Sequence, residues 1–200
     1  MAYIDDFTTA GSRSDINCRR DNLRSRFEVT VIGSLNDIRS IEIKHTFEGM
    51  ELLQQHYITN IHSRLGMYNC RPGSTPIAWK TSLLTESDSN PTLEENLSQC
   101  MMGALMSLAT CTRPHLALSI WYLSRFSPHP LERHHTAVNR VLYYLGETCS
   151  MSFKYKHSPT SVPLSTVAFS VSDNASHRDT RHTISHYAFM LNGCPISWLS

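Results

Sequence analysis

An α+β architecture is what this sequence predicts, with helices and strands in separate runs rather than in regular alternation. Three observations carry that expectation. The early sheet signal falls in short stretches that read as hairpins. Residues 97–145 hold three strongly periodic helices. Residues 151–191 return to period-two alternation.

Taken in order, Tyr3 to Thr9 reads as strand–turn–strand, and Ser14 to Phe27 as a helix. In that helix Ile16, Leu23 and Phe27 share a face, while Arg13, Arg19, Arg20, Arg24 and Arg26 project elsewhere. Phe27 to Val31 alternates apolar and polar, as a strand does. Ile41-Glu42-Ile43, a turn at Gly49 and then Met50 to Leu53 predict a hairpin. From Tyr57 the period becomes helical through Ile61 and Leu65, and Gly66 stands at the C-cap position. Residues 72–96 are rich in Pro, Ser, Thr and Asn and read as a linker. Leu97, Cys100, Met101, Ala104, Leu105 and Leu108 then follow a helical stripe, with Met102 and Met106 at or near the core. Pro114 ends that helix and opens another with Leu116, Ile120, Trp121 and Leu123. Pro130 opens a third carrying Leu131, Val138, Val141, Leu142 and Leu145. Strands are expected at 151–155, 167–171 and 187–191. This divides the chain into 1–72, a linker 73–96, a helical segment 97–150 and a terminal segment 151–200.

Composition narrows the class. The 200 residues are 40% hydrophobic and 18% charged, which suits a globular core. No apolar run approaches the ~20 residues a membrane helix requires, and Met1 to Asp6 lacks the basic and apolar regions of a secretory signal. An intracellular, non-membrane protein is expected, and Cys18, Cys70, Cys100, Cys111, Cys149 and Cys194 are read as reduced thiols. A net charge of +1 argues against a free-standing nucleic-acid-binding module, because phosphate contacts usually demand a basic excess.

Asp5 and Asp6 are the first candidates for chemistry. Neighbouring side chains of a strand point to opposite faces, so two adjacent carboxylates converge only at a tight turn. There they would suit Mg²⁺, a hard cation that takes oxygen ligands. An isolated Asp-Asp dipeptide reads first as a solvated turn. His182 and His186, with His177 nearby, have the spacing of zinc ligands on a helix, but their surroundings are strand-like, and packed or surface histidines are the preferred reading. Trp121, Tyr122, Tyr143 and Tyr144 could stack on bases, yet at helical spacing they are read as core.

The motifs around the dipeptide change its reading. Tyr3-Ile4-Asp5-Asp6 resembles the Tyr-x-Asp-Asp signature of reverse transcriptases. Ile38-Arg39-Ser40-Ile41-Glu42-Ile43, Gln54-Gln55-His56-Tyr57-Ile58 and Cys70-Arg71-Pro72-Gly73-Ser74-Thr75-Pro76 resemble successive motifs of the copia-type retrotransposon Pol polyprotein. So do Thr112-Arg113-Pro114, Leu123-Ser124-Arg125-Phe126 with Pro130, and His134 with Ala137. Asp179-Thr180-Arg181, Ser185, Tyr187, Gly193 and Ile196-Ser197-Trp198 are similar to the start of that family's ribonuclease H. The ordered series covers nearly the whole chain.

The resemblance implies a partial palm and thumb with a helical connection, followed by the opening strands of a ribonuclease H-like fold. It implies an RNA-directed DNA polymerase in which Asp5 and Asp6 hold two Mg²⁺ ions. Tyr3, Gln54 and Tyr57 would lie in the primer region. Asp173 would be a ribonuclease H acid, in an alignment that leaves Val171 or Asp173 at the first position. The implied partners are an RNA/DNA primer-template, deoxynucleotides and the missing N-terminal palm and fingers, in a cytoplasmic particle or the nucleus. The family's third palm aspartate lies well upstream, and four residues precede Asp5. The later ribonuclease H acids fall beyond Ser200. The isolated chain is therefore expected to be inactive, and the alternative is a non-catalytic remnant that binds nucleic acid or protein. Ser40 and His186 replace family glycines, and His115 replaces an aspartate.

Overall fold

The computed structural model describes residues 2–3, 6–67, 73–77, 95–157, 164–173 and 184–199. The chain divides into two compact units, Met1–Ile38 and Arg39–Ser200. The fold is mixed α and β with antiparallel sheets, in agreement with the α+β expectation.

In the first unit, strands β1 (Ala2–Tyr3) and β2 (Asp6–Phe7) pair antiparallel, with Ala2 opposite Phe7 and Tyr3 opposite Asp6. Helix α1 (Arg13–Arg24) follows. Its N-cap is Ser12, whose Oγ accepts from the Asp15 N–H at 3.2 Å. Asp15 in the first turn and Arg24 in the last both oppose the helix dipole favourably. No α1 residue is buried, so the face of Ile16, Leu23 and Phe27 covers no core. The strand expected at Phe27–Val31 does not form, and Phe27 and Val31 are exposed. Alternation marks a surface suited to a sheet, but a strand also needs a neighbour to bond to. A short strand, β3 (Asp37–Ile38), ends this unit.

The second unit opens with the expected hairpin, β4 (Ile41–Thr46) and β5 (Gly49–Leu53). The far edge of β5 pairs with β6 (Phe153–Lys156), about a hundred residues on in sequence, so 153–156 joins this hairpin rather than the terminal strands. That pairing needs Gly49, because a Cβ there would collide with the backbone oxygen of Tyr155.

Four helices pack beside this sheet: α2 (Gln55–Arg64), α3 (Glu95–Cys111), α4 (Ala117–Ser124) after a 3₁₀ turn at Pro114–Leu116, and α5 (Glu132–Glu147). Ile58, Leu105, Leu108, Leu116, Ile120, Val141, Leu142 and Leu145 form a single core with almost no exposure. Each such side chain contributes about 1.5–3 kcal/mol relative to its exposed state. Met101 and Met102 join the core, whereas Cys100 and Met106 face solvent, because an α-helical stripe covers only part of the circumference. Residues 73–77, within the expected linker, are anchored on α5. Arg140 donates to the Thr75 carbonyl at 3.1 Å and to Thr75 Oγ1 at 2.7 Å. The rest of 78–94 lies outside the described residues.

Strands β7 (Thr166–Asp173), β8 (Ile184–Leu191) and β9 (Cys194–Leu199) close the chain as an antiparallel meander. Asn192 and Gly193, both at positive φ, form the turn between β8 and β9. Among the described residues, no helix is long and apolar enough to cross a membrane, and the five described cysteines are free thiols.

Candidate functional site

The Tyr-x-Asp-Asp segment forms the first hairpin. Tyr3 and Asp6 are directly opposite, with two residues between them in sequence. Asp5 lies outside the described residues, and only the backbone of Tyr3 and Asp6 is described. Among the described residues no three His, Cys, Asp or Glu side chains gather in the manner of a metal site. Of the arginines of α1, Arg20 pairs with an acid of the same helix, its Nε 3.2 Å from Asp21 Oδ1.

In the second unit the motifs at 41–43, 54–58 and 112–114 are joined by hydrogen bonds. Helix α2 has no side-chain cap of its own. Instead Glu42 of β4 accepts from the His56 N–H at 2.7 Å, which places a carboxylate at a helix N-terminus. Gln54 is fully buried, and its Oε1 accepts from Thr112 Oγ1 at 2.7 Å, joining the start of α2 to the end of α3. Its Nε2 has no partner. Tyr57 is half-buried against the core.

Arg113 is also fully buried. Its Nη2 donates to the carbonyls of Thr148 at 2.6 Å and Cys149 at 3.2 Å, which cap the C-terminus of α5. A cation at that end also meets the negative pole of the helix dipole. Its Nε and Nη1 have no partner, and burial lowers its pKa. The next polar residue, His115, packs edge-on to Tyr144 at 5.6 Å. Desolvation there, and then the Arg113 charge, lower its pKa below 6.5. The Thr-Arg-Pro motif is thus the corner that joins α3, α4 and α5.

His134 is buried and stacks on Phe126 at 4.2 Å, and its Nδ1 accepts from the Leu131 N–H at 3.1 Å. It therefore caps α5, a role that its place in a His-x-x-Ala motif did not reveal. Trp121, Tyr122, Tyr143 and Tyr144 are half-buried, and Tyr122 and Tyr144 pack on the core. His186 sits within β8, paired with Val171, while His177 and His182 lie outside the described residues.

The terminal sheet is tied to the helical layer and to β6. Trp198 Nε1 donates to the Ala109 carbonyl at 2.7 Å, Tyr155 Oη donates to Pro195 O at 2.6 Å, and Phe153 meets Trp198 edge-on at 5.6 Å. Asp173 is the last residue of β7, opposite Ile184. Sequence reasoning missed β9 and the Trp198 anchor. The Asn-Gly pair at 192–193 is a strong hairpin signal and could have found the strand.

No protein-family model matches the chain, and no solved structure does. Among curated proteins, the retrovirus-related Pol polyprotein from transposon RE1 of Arabidopsis thaliana is 31% identical across the whole chain, which covers 13% of that protein. The retrovirus-related Pol polyprotein from transposon TNT 1-94 of Nicotiana tabacum is 28% identical, again over the whole chain and over 15% of its own length. The chain also resembles a secreted RxLR effector protein, number 161, of Plasmopara viticola, at 36% identity over 50% of this chain and 68% of that protein. Similarity to the polyproteins over the full length of this chain makes it a member of the copia-type retrotransposon Pol polyprotein family.

Proposed function

We propose that this chain is the carboxy-terminal part of a reverse transcriptase together with the first strands of its ribonuclease H, and that it is inactive by itself. The observation that carries this reading is the antiparallel pairing of Tyr3 with Asp6, with two residues between them along the Tyr-Ile-Asp-Asp segment. Only such a turn brings adjacent carboxylates toward one metal site. Support also comes from the order of elements behind it, with a hairpin, a helical layer and an antiparallel meander that begins at residue 166.

Asp5 and Asp6 would supply oxygen ligands to Mg²⁺, which in phosphoryl transfer polarises the attacking and leaving oxygens. Two carboxylates do not make the full set. The upstream palm and fingers would have to supply the remainder, along with the site for the incoming deoxynucleotide. On the same reading Tyr3 and Tyr57 lie toward the primer-template. Gln54 contributes there through α2, because its amide is turned inward to Thr112.

The test fuses the chain behind the upstream palm and fingers of the RE1 polyprotein and measures primer extension with Mg²⁺. Extension that Asp5→Asn with Asp6→Asn abolishes is the expected result. A fusion that folds and binds primer-template, extends nothing, and binds equally with both substitutions would favour the non-catalytic reading. The similarity to a protein named as a secreted effector, of which this chain covers 68%, is the observation on that side.

A further inference from the structure

Helix α3 ends irregularly, and a residue of β9 completes it. Leu108 O accepts from the N–H groups of both Thr112 and Arg113, at 3.1 and 2.8 Å. The Arg113 N–H would be the regular helical partner of Ala109 O, so that carbonyl is left to be satisfied from elsewhere. Ala109 is buried, and a carbonyl unmet there would be costly. Trp198 supplies the donor, its Nε1 reaching Ala109 O at 2.7 Å.

A second set of contacts joins β9 to β6, the strand that extends the β4–β5 hairpin. Tyr155 Oη donates to Pro195 O at 2.6 Å, and burial raises the Tyr155 pKa, which keeps the hydroxyl a donor. The Cys194 thiol donates to Lys154 O at 3.1 Å, and Phe153 meets Trp198 edge-on at 5.6 Å. Strand β9 is thus held from two elements, α3 and β6. The rest of the terminal sheet goes with it, because β7, β8 and β9 share hydrogen-bond ladders. Two separate anchors fix orientation as well as position, where a single one would leave a swivel.

We propose that Trp198 and Tyr155 are positioning residues that lock the terminal sheet onto α3 and β6, and so set where an RNA strand is cut relative to the primer region at Gln54 and Tyr57. The proposal rests on the reading given above, in which the terminal sheet opens a ribonuclease H. Gln54 and α2 follow directly from β5, and β5 pairs with β6, so the joint leaves little freedom between the primer region and the sheet. A nucleic acid held at the one reaches the other at a fixed spacing.

The joint is tested on the full chain with a protease recognition site inserted between residues 157 and 164. After cleavage the terminal piece should co-elute with the rest in gel filtration. Trp198→Phe with Tyr155→Phe keeps both rings and removes both hydrogen bonds. It should lose the piece while amide exchange in α5 stays unchanged. Release of the piece from the unsubstituted chain, or its retention by the double variant, would overturn the joint. The cut position is read in the RE1 fusion, completed downstream with the RE1 segment that follows. Cuts at one main distance from the primer end are expected, spreading over neighbouring positions in the double variant while primer extension is unchanged. Cuts that stay at one distance in the double variant would overturn the positioning role. A fusion that extends primer but cuts no RNA would instead sink the ribonuclease H reading, and the proposal with it.

Discussion

Arg113 is a buried cation with two unpaired donors, and the residue best placed to serve it is the wrong kind. Its Nη2 is satisfied by the Thr148 and Cys149 carbonyls, but Nε and Nη1 reach no partner. Two residues on, His115 feels the Arg113 charge as repulsion. Replacing His115 with Asp turns that repulsion into attraction. The position is exposed, so solvent screens the gain, and about 1 kcal/mol is the expected size. For a chain of this length that is a rise in Tm of about 2–4 °C. Removing the cation instead, by Arg113→Ala, strips two carbonyls of their donor and opens a cavity, at a cost of about 3–5 kcal/mol. The assay is urea unfolding followed by circular dichroism, run as a double-mutant cycle with Arg113→Met. The benefit of His115→Asp should vanish in the Arg113→Met background. A benefit that persists there would refute the electrostatic account, and no benefit in either background would show that Arg113 lacks no counter-ion.

Ser40 is held at φ +62°, a conformation glycine adopts without strain, so Ser40→Gly should raise stability by roughly 1 kcal/mol in the same urea assay. Thr112→Val leaves both polar atoms of the buried Gln54 amide unpartnered and should cost about 1–3 kcal/mol, read from the denaturation midpoint. Trp198→Phe keeps a ring against Phe153 but loses the bond to Ala109. It should cost about 1 kcal/mol and speed amide exchange in β9 more than in α5. His115 also sets a pH dependence. With its folded pKa below the unfolded 6.5, the unfolded chain binds more protons, so its contribution is intact above pH 6.5 and falls as the pH drops below that value. His115→Gln should flatten that part of a stability–pH curve.

Local periodicity carried most of the secondary structure. The stripes of α3 and α5, the proline that opens the 3₁₀ turn before α4, and the alternation of β4, β5, β7 and β8 are all properties of nearby residues. The antiparallel pairing of Tyr3 with Asp6 is likewise a matter of neighbouring residues. Ser40, which replaces a family glycine, does stand at positive φ. His186, the other replacement of a family glycine, lies in a regular strand and not at positive φ.

What the sequence by itself determined is therefore the class of fold, its helices and its family, since these rest on periodicity and on motifs in order. Only the tertiary structure decided which strands share a sheet and what the motif residues do there. Nothing local joins Phe153–Lys156 to Gly49–Leu53, and nothing local aims Arg113 at the end of α5 or Trp198 at Ala109. Those choices follow from closing long loops around one core, where a buried polar group is stable only if a distant segment supplies its partner.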